Sequence, residues 1–156
     1  MKIKTIIILL IIVLITFLIY IYNKDDKIYL LNLGNNNEIY QIEEYLKNEN
    51  KLEQSINISS NLNQIIDNIK TNKKIQNRTM KNHLIKADFI IITTESKKDN
   101  LNELIKIVKQ YSKEEIIIIG QPTSENILVS RNNKVPLFTK NKTTDSIINY
   151  IKENIQ

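Results

Sequence analysis

The chain lacks the residues that several kinds of functional site require. Its 156 residues include no cysteine, so disulfide frameworks, thiolate metal sites and cysteine nucleophiles are excluded. The single histidine excludes a histidine-rich metal centre. The two glycines, Gly34 and Gly120, are too few for a glycine-rich phosphate-binding or dinucleotide-binding loop. We therefore expect neither a cofactor nor a metal ion.

Isoleucine, asparagine and lysine are abundant instead and make up nearly half of the chain. This bias is typical of AT-rich coding, so the formal net charge of +5 is weak evidence for an acidic partner. We expect no nucleic-acid partner. The length suffices for one domain with a real hydrophobic core but hardly for two.

An uncharged apolar run extends from Thr5 to Tyr22. As an α-helix it would be about 27 Å long, close to the roughly 30 Å hydrocarbon core of a bilayer. The sequence that follows offers no small residues for signal-peptide cleavage. The run therefore predicts an uncleaved signal-anchor, with residues 1–4 in the cytoplasm, one transmembrane helix over 5–22 and a hinge over 23–26. A small excess of positive charge before the run predicts a membrane protein whose C-terminal domain lies outside the cytoplasm.

Residues 27–156 alternate between strand-like and helix-like segments. Continuous apolar runs at 27–33, 87–93 and 115–120 are typical of strands that are covered on both faces. Apolar residues at helical spacing predict helices at 38–47, 62–69, 79–86, 101–108 and 147–155. Weaker strand candidates lie at 55–58, 126–129 and 135–138. Such alternation predicts an α/β domain with a mainly parallel sheet between two layers of helices.

Ligands of parallel α/β sheets bind where the strands end, at their carboxyl edge. Polar residues predicted at this edge are 35–37, 59–61, 94–98 and 121–124. His83 precedes a strand instead, so we expect it at the opposite edge as a partly exposed helix residue. Without a second histidine, Ser59 and Ser96 have no conventional base to activate them as nucleophiles. Glu95 is a lone carboxylate at the carboxyl edge.

In order and spacing, most of residues 27–156 resembles the SGNH/GDSL-type hydrolases, especially membrane-anchored members from low-GC Gram-positive bacteria. IYLLNLGNNN resembles the first strand and the block that usually reads L-G-D-S. MKNHLIKADFIIITTESKKDNL resembles the third block, and TTDSIINYIKENI resembles the terminal helix that normally follows the catalytic D-x-x-H. The resemblance implies a three-layer α/β/α, SGNH-hydrolase or flavodoxin-like fold and hydrolysis of esters by a serine and a histidine.

The same resemblance implies that the catalytic residues have been replaced. Asn35 and Asn36 fall where the family has an aspartate and the nucleophilic serine. Ser59 falls at the oxyanion glycine, and Glu95 and Lys97 fall at the glycine and asparagine of the third block. No histidine lies near the terminal helix. We therefore predict no catalytic residues, with these five as degenerate positions.

The resulting functional prediction is a membrane-anchored, extracytoplasmic SGNH-like domain that has lost catalysis and binds a cell-envelope ligand or a protein partner. Two alternatives stay open. One is an active ester or acyl hydrolase that uses atypical groups such as Glu95 with Ser96 or Ser59. The other is an unrelated, membrane-tethered Rossmann-like module.

Overall fold

A computed structural model describes residues 2–25, 27–35, 37, 39–95, 100–139 and 143–154, without the side chains of residues 2–5, 20–25 and 143. The described helices are α1 (Lys2–Asp25), α2 (Ile39–Asn48), α3 (Leu62–Lys70), α4 (Met80–Lys86), α5 (Leu101–Tyr111), α6 (Ser124–Asn133) and α7 (Thr143–Asn154). The described strands are β1 (Ile28–Leu33), β2 (Leu52–Ile58), β3 (Lys74–Ile75), β4 (Arg78–Thr79), β5 (Phe89–Thr93), β6 (Glu115–Ile119) and β7 (Leu137–Phe138).

Five strands form one sheet in the order β2-β1-β5-β6-β7, and each neighbouring pair is parallel. Counted within this sheet, the order is 2-1-3-4-5, which is the flavodoxin-like arrangement. The short strands β3 and β4 form a separate antiparallel hairpin before α4. The predicted mainly parallel α/β sheet is therefore confirmed.

Alternate residues of the central strands fill two separate cores, because successive side chains of a strand point to opposite faces. On one face Leu31, Ile90 and Ile118 belong to a cluster that includes residues of α3, α4 and α5. On the other face Leu30 and Ile91 belong to a cluster with residues of α2 and α7. The sheet is thus covered on both sides, which confirms the predicted three layers.

None of the described side chains of helix α1, those of residues 6–19, belongs to either core cluster. Its described apolar side chains between Ile6 and Ile19 are 49–63% exposed. Residues 23–25 of the predicted hinge belong to this helix.

The predicted transmembrane signal-anchor over Thr5 to Tyr22 is contradicted. In the part of the chain that the structure describes, no helix is both long enough and apolar enough to cross a bilayer.

The strand predicted at 126–129 is wrong, because these residues lie within α6. The apolar run is only Ile127, Leu128 and Val129, and a helix start precedes it. Thr123 is the N-cap, and its hydroxyl accepts a hydrogen bond from the Asn126 backbone N–H at 3.2 Å. Leu128 is 58% exposed, so the run does not supply a buried strand.

His83 is also placed differently from the prediction, since it is 1% exposed rather than partly exposed. Its Nε2 lies 3.0 Å from the Ile75 carbonyl, which can only accept, so Nε2 carries the proton. Its Nδ1 therefore accepts from the Tyr29 hydroxyl at 2.7 Å. Burial raises the pKa of the Tyr29 hydroxyl. The buried pair satisfies both side chains and gives His83 a structural role.

Candidate functional site

The centre of the carboxyl edge of the sheet lies between β1 and β5, which are adjacent and parallel. After β1 the chain enters α2, which packs on one face of the sheet, and after β5 it enters α5, which packs on the other. Chains that leave neighbouring strands in opposite directions open a crevice between them, the topological switch point of such folds. A cavity of about 340 Å³ lies here, lined by Asn35, Ser59, Ser60, Asn61, Leu62, Thr93 and Glu95.

Gly34 sets the shape of this edge. Its φ of +112° is a conformation that residues with a side chain rarely adopt, and an added Cβ would lie 2.3 Å from the carbonyl oxygen of Thr93. The Gly34 N–H donates to the carbonyl of Ile58 at 3.0 Å, which joins the end of β1 to the end of β2. The next residue is Asn35, whose Oδ1 accepts a hydrogen bond from the Ser59 hydroxyl at 3.2 Å.

Two polar side chains are buried beneath this edge without full hydrogen bonding. Asn32 and Thr93 are each 2% exposed, and their Oδ1 and Oγ1 atoms have no hydrogen-bond partner among the described residues. Asn32 lies opposite Ile91 in the register, so Thr93 is two residues further along the neighbouring strand and on the same face. The Asn32 amide nitrogen donates to the Gly34 carbonyl at a long 3.4 Å. An unsatisfied buried polar group costs about 1–3 kcal/mol, so the fold retains these two at a loss of stability.

The start of α3 forms one wall of the cavity. Asn61 is its N-cap, and its side-chain oxygen accepts from the Gln64 N–H at 2.9 Å. Ser59 and Ser60 precede it. The N-terminus of a helix carries partial positive charge, which therefore lies beside the cavity.

Of the sequence-predicted site residues, three meet around this cavity: Asn35, Ser59 and Glu95. Asn36 and Lys97 lie outside the described residues, as does Ser96. The buried polar side chains of Asn32 and Thr93 were not among the predicted site residues. One signal was present for Asn32, which interrupts the apolar strand IYLLNL in a position that the sheet buries.

The lining can form hydrogen bonds, but its described residues contain no paired nucleophile and base. The Ser59 hydroxyl donates to an amide oxygen, which is not basic enough to activate it. His83 contacts Tyr29 near the start of β1, so it lies toward the opposite edge of the sheet. Within the described ranges, no three His, Cys, Asp or Glu residues are grouped so that they could hold a metal ion.

The sequence matches no family model and no curated protein. Its fold is similar to that of a putative pilus assembly-related protein from Burkholderia pseudomallei, with a TM-score of 0.57 and 10% identity over 84% of this chain and 91% of that chain. It is also similar to the response regulator domain of CheB from Thermotoga maritima, with a TM-score of 0.52 and 12% identity over 83% of this chain and 96% of that one.

A third similar structure is the C-terminal part of RcsC from E. coli, which contains a linker region and a phosphoreceiver domain. The TM-score is 0.53 and the identity 10%, over 83% of this chain and 46% of that chain. Identities this low show a shared fold alone. This chain therefore shares its flavodoxin-like α/β fold with these three structures.

The predicted resemblance to SGNH/GDSL hydrolases is wrong, because the similar structures include a phosphoreceiver domain and a response regulator domain, and no hydrolase of that family is named among the three. The predicted function as a degenerate hydrolase-like module depended on this resemblance and is therefore also wrong. The physical reason is that apolar strands, polar loops and amphipathic helices follow one another in the same order in all doubly wound α/β folds. Segment order alone does not separate one such family from another.

Proposed function

We propose that this chain is a receiver-like signalling module that acts by binding a ligand at its switch point. The observation that carries the proposal is the cavity of about 340 Å³ at this place, lined by hydroxyl and amide side chains and one carboxylate. The similarity to a response regulator domain and to a phosphoreceiver domain supports a role in signalling. The described lining supports recognition, since it offers several hydrogen-bonding groups and no activated nucleophile.

Titration of the isotope-labelled full-length protein with a library of small polar fragments tests this proposal by NMR. We expect saturable shifts of backbone amides at Asn35, Ser59 and Ser60. A second cavity of about 400 Å³ at the opposite edge of the sheet, lined in part by Lys109 and Lys134, serves as the internal control. Fragments that bind only at the second cavity, or at neither, would contradict a ligand site at the switch point.

A second candidate function is phosphoryl acceptance by Glu95. It is favoured by the position of this carboxylate, which directly follows β5 and lines the cavity of a receiver-like fold. A carboxylate is able to form an acyl phosphate.

Incubation with acetyl phosphate and Mg²⁺, followed by intact-mass measurement, separates the two functions. If the module acts by binding alone, the full-length protein gains no phosphoryl group. A phosphoryl adduct that Glu95→Gln abolishes would establish the second function instead. Glu114→Gln is the matched control, because Glu114 lines the cavity at the opposite edge.

We also propose that α1 attaches the module to a membrane. Its described apolar side chains are exposed along the helix, which gives the module an apolar surface that can bind a membrane without spanning it. The only polar side chain in this stretch, Thr16, donates its hydroxyl back to carbonyls of its own helix, at 3.0 Å to Ile12 and 2.9 Å to Val13. The side of the membrane on which the domain lies remains a prediction.

Fractionation of cells checks the membrane proposal. We expect the full-length protein in the membrane pellet and the double variant Leu10→Asp, Leu14→Asp largely in the high-speed supernatant, because a carboxylate on this apolar surface opposes its transfer from water to the membrane. Leu128→Asp changes an equally exposed leucine on α6 and should leave the protein in the pellet. Recovery of the unaltered protein in the supernatant without detergent would refute the proposal.

A further inference from the structure

We propose that the segment between α3 and β5 binds the anionic lipid headgroups of the membrane to which α1 attaches the module. This inference rests on the proposed attachment by α1 and adds the kind of lipid that the membrane contains. It starts from the distribution of charge along the chain. Residues 68–87, here called the basic segment, include no acidic side chain and six basic ones, which are Lys70, Lys73, Lys74, Arg78, Lys81 and Lys86.

The high lysine content of the whole chain does not explain the basic segment. The formal net charge of the chain is +5, so the residues outside this segment are slightly acidic when they are taken together. Lysines elsewhere are therefore balanced by aspartate and glutamate. The excess of positive charge belongs to the basic segment alone, which indicates an anionic partner for this part of the surface.

Half of the basic side chains in this segment are open to such a partner. Lys73, Lys74 and Arg78 lie in and beside the β3–β4 hairpin and are exposed, and no carboxylate among the described residues forms an ion pair with them. The other three basic side chains contact carboxylates or an aromatic ring of the domain. The paired strands of the hairpin hold Lys74 close to Arg78, and like charges held together repel until an anion binds.

The fold holds the basic segment beside the point where α1 ends. Helix α1 ends at Asp25 and Tyr29 follows four residues later, so their Cα atoms lie within about 14 Å of each other. The Tyr29 hydroxyl contacts His83 of α4 at 2.7 Å, and His83 contacts the Ile75 carbonyl of the hairpin at 3.0 Å. Lys86 Nζ lies 4.9 Å from the centre of the Tyr29 ring. A membrane surface that binds α1 is therefore within reach of the basic segment.

This proximity favours lipid over nucleic acid as the anionic partner. A membrane offers an apolar interior for α1 and an anionic surface for the basic segment, whereas a nucleic acid offers only the charge. Attraction of lysine and arginine to anionic lipid acts within a Debye length of the surface, about 8–10 Å at moderate salt. Ile85 on α4 is 63% exposed, and an apolar side chain among lysines suits the boundary between headgroups and acyl chains.

Flotation of the purified full-length protein with lipid vesicles tests the inference. The vesicles consist of phosphatidylcholine alone or of an equal mixture of phosphatidylcholine and phosphatidylglycerol, each at limiting lipid. We expect binding to both, with a partition coefficient at least about tenfold higher on the mixed vesicles at low salt, because each basic residue near an anionic surface adds attraction. High salt should reduce this preference, since it screens exposed charges.

The triple variant Lys73→Gln, Lys74→Gln, Arg78→Gln should lose most of the preference for the mixed vesicles. Its binding to phosphatidylcholine should stay unchanged, which also shows that the variant is folded and that α1 is intact. The matched control is the triple variant Lys106→Gln, Arg131→Gln, Lys134→Gln, which removes the same charge from exposed positions on and beside α5 and α6. It should keep the preference.

Three results would overturn the inference while leaving the attachment by α1 standing. The first is equal binding of the unaltered protein to both kinds of vesicle. The second is an equal loss of preference in the two triple variants, which would show that net charge and not the basic segment determines it. The third is a DNA duplex that binds the protein more tightly per phosphate than the mixed vesicles do. Failure to bind phosphatidylcholine vesicles would overturn the proposed attachment by α1 itself, on which the inference rests.

Discussion

Replacing Gly34 by alanine is expected to lower the free energy of unfolding by about 2–6 kcal/mol, which combines the usual costs of a strained backbone and of overpacking. The added Cβ would lie 2.3 Å from the carbonyl oxygen of Thr93, and the residue would have to keep a φ of +112°. A backbone carbonyl within a parallel sheet cannot move away cheaply. Urea denaturation followed by circular dichroism measures the loss, as a lower midpoint at unchanged slope.

Gly120→Ala is the matched control for Gly34→Ala. Gly120 follows β6 at the same edge, but its φ is not in the left-handed region, and an added Cβ would meet the side-chain Cγ2 of Thr94 at 2.6 Å. A side-chain methyl can rotate or shift, so we expect a smaller loss than at Gly34. Equal losses at both positions would show that general crowding, and not the backbone of Gly34, determines the effect.

The main strands could be predicted from the sequence because burial on both faces selects continuous apolar residues. The runs at 87–93 and 115–120 contain β5 and β6, and the helices between strands follow from apolar residues at helical spacing. Helix α6 could not be predicted in this way, since its exposed Leu128 breaks the apolar pattern. The β3–β4 hairpin has strands of two residues, too short for any period to appear.

The place of the candidate site could also be predicted from the sequence, but its chemistry could not. Ligands bind at the carboxyl edge of a parallel sheet, and this rule alone predicts Asn35, Ser59 and Glu95 at one edge, where all three line the cavity. The sequence does not tell whether a polar residue in a buried strand finds a partner. That depends on atoms of other helices and strands. Tyr29 and Ile75 form hydrogen bonds with His83, whereas Asn32 Oδ1 has no hydrogen-bond partner among the described residues.

Asn32 Oδ1 and Thr93 Oγ1 are buried without a partner among the described residues. We therefore expect that replacing these polar side chains by apolar ones raises the free energy of unfolding, whereas most substitutions in a core lower it. Asn32→Leu together with Thr93→Val should raise the free energy of unfolding by about 2–6 kcal/mol, from about 1–3 kcal/mol for each unsatisfied group removed. Both side chains face the apolar cluster that includes Leu30, Phe89 and Ile91, so aliphatic replacements meet apolar neighbours.

Asn126→Leu is the control for this double variant, because Asn126 is also buried but donates to the Gln121 carbonyl at 2.9 Å. That variant loses the hydrogen bond to the Gln121 carbonyl, so we expect its free energy of unfolding to fall by about 1–3 kcal/mol. Chemical denaturation of all three proteins without added ligand gives the comparison. Stabilisation of the double variant would mean that Asn32 and Thr93 are kept at the expense of stability. Destabilisation similar to that of Asn126→Leu would mean that their oxygens are satisfied in solution, for instance by a bound water.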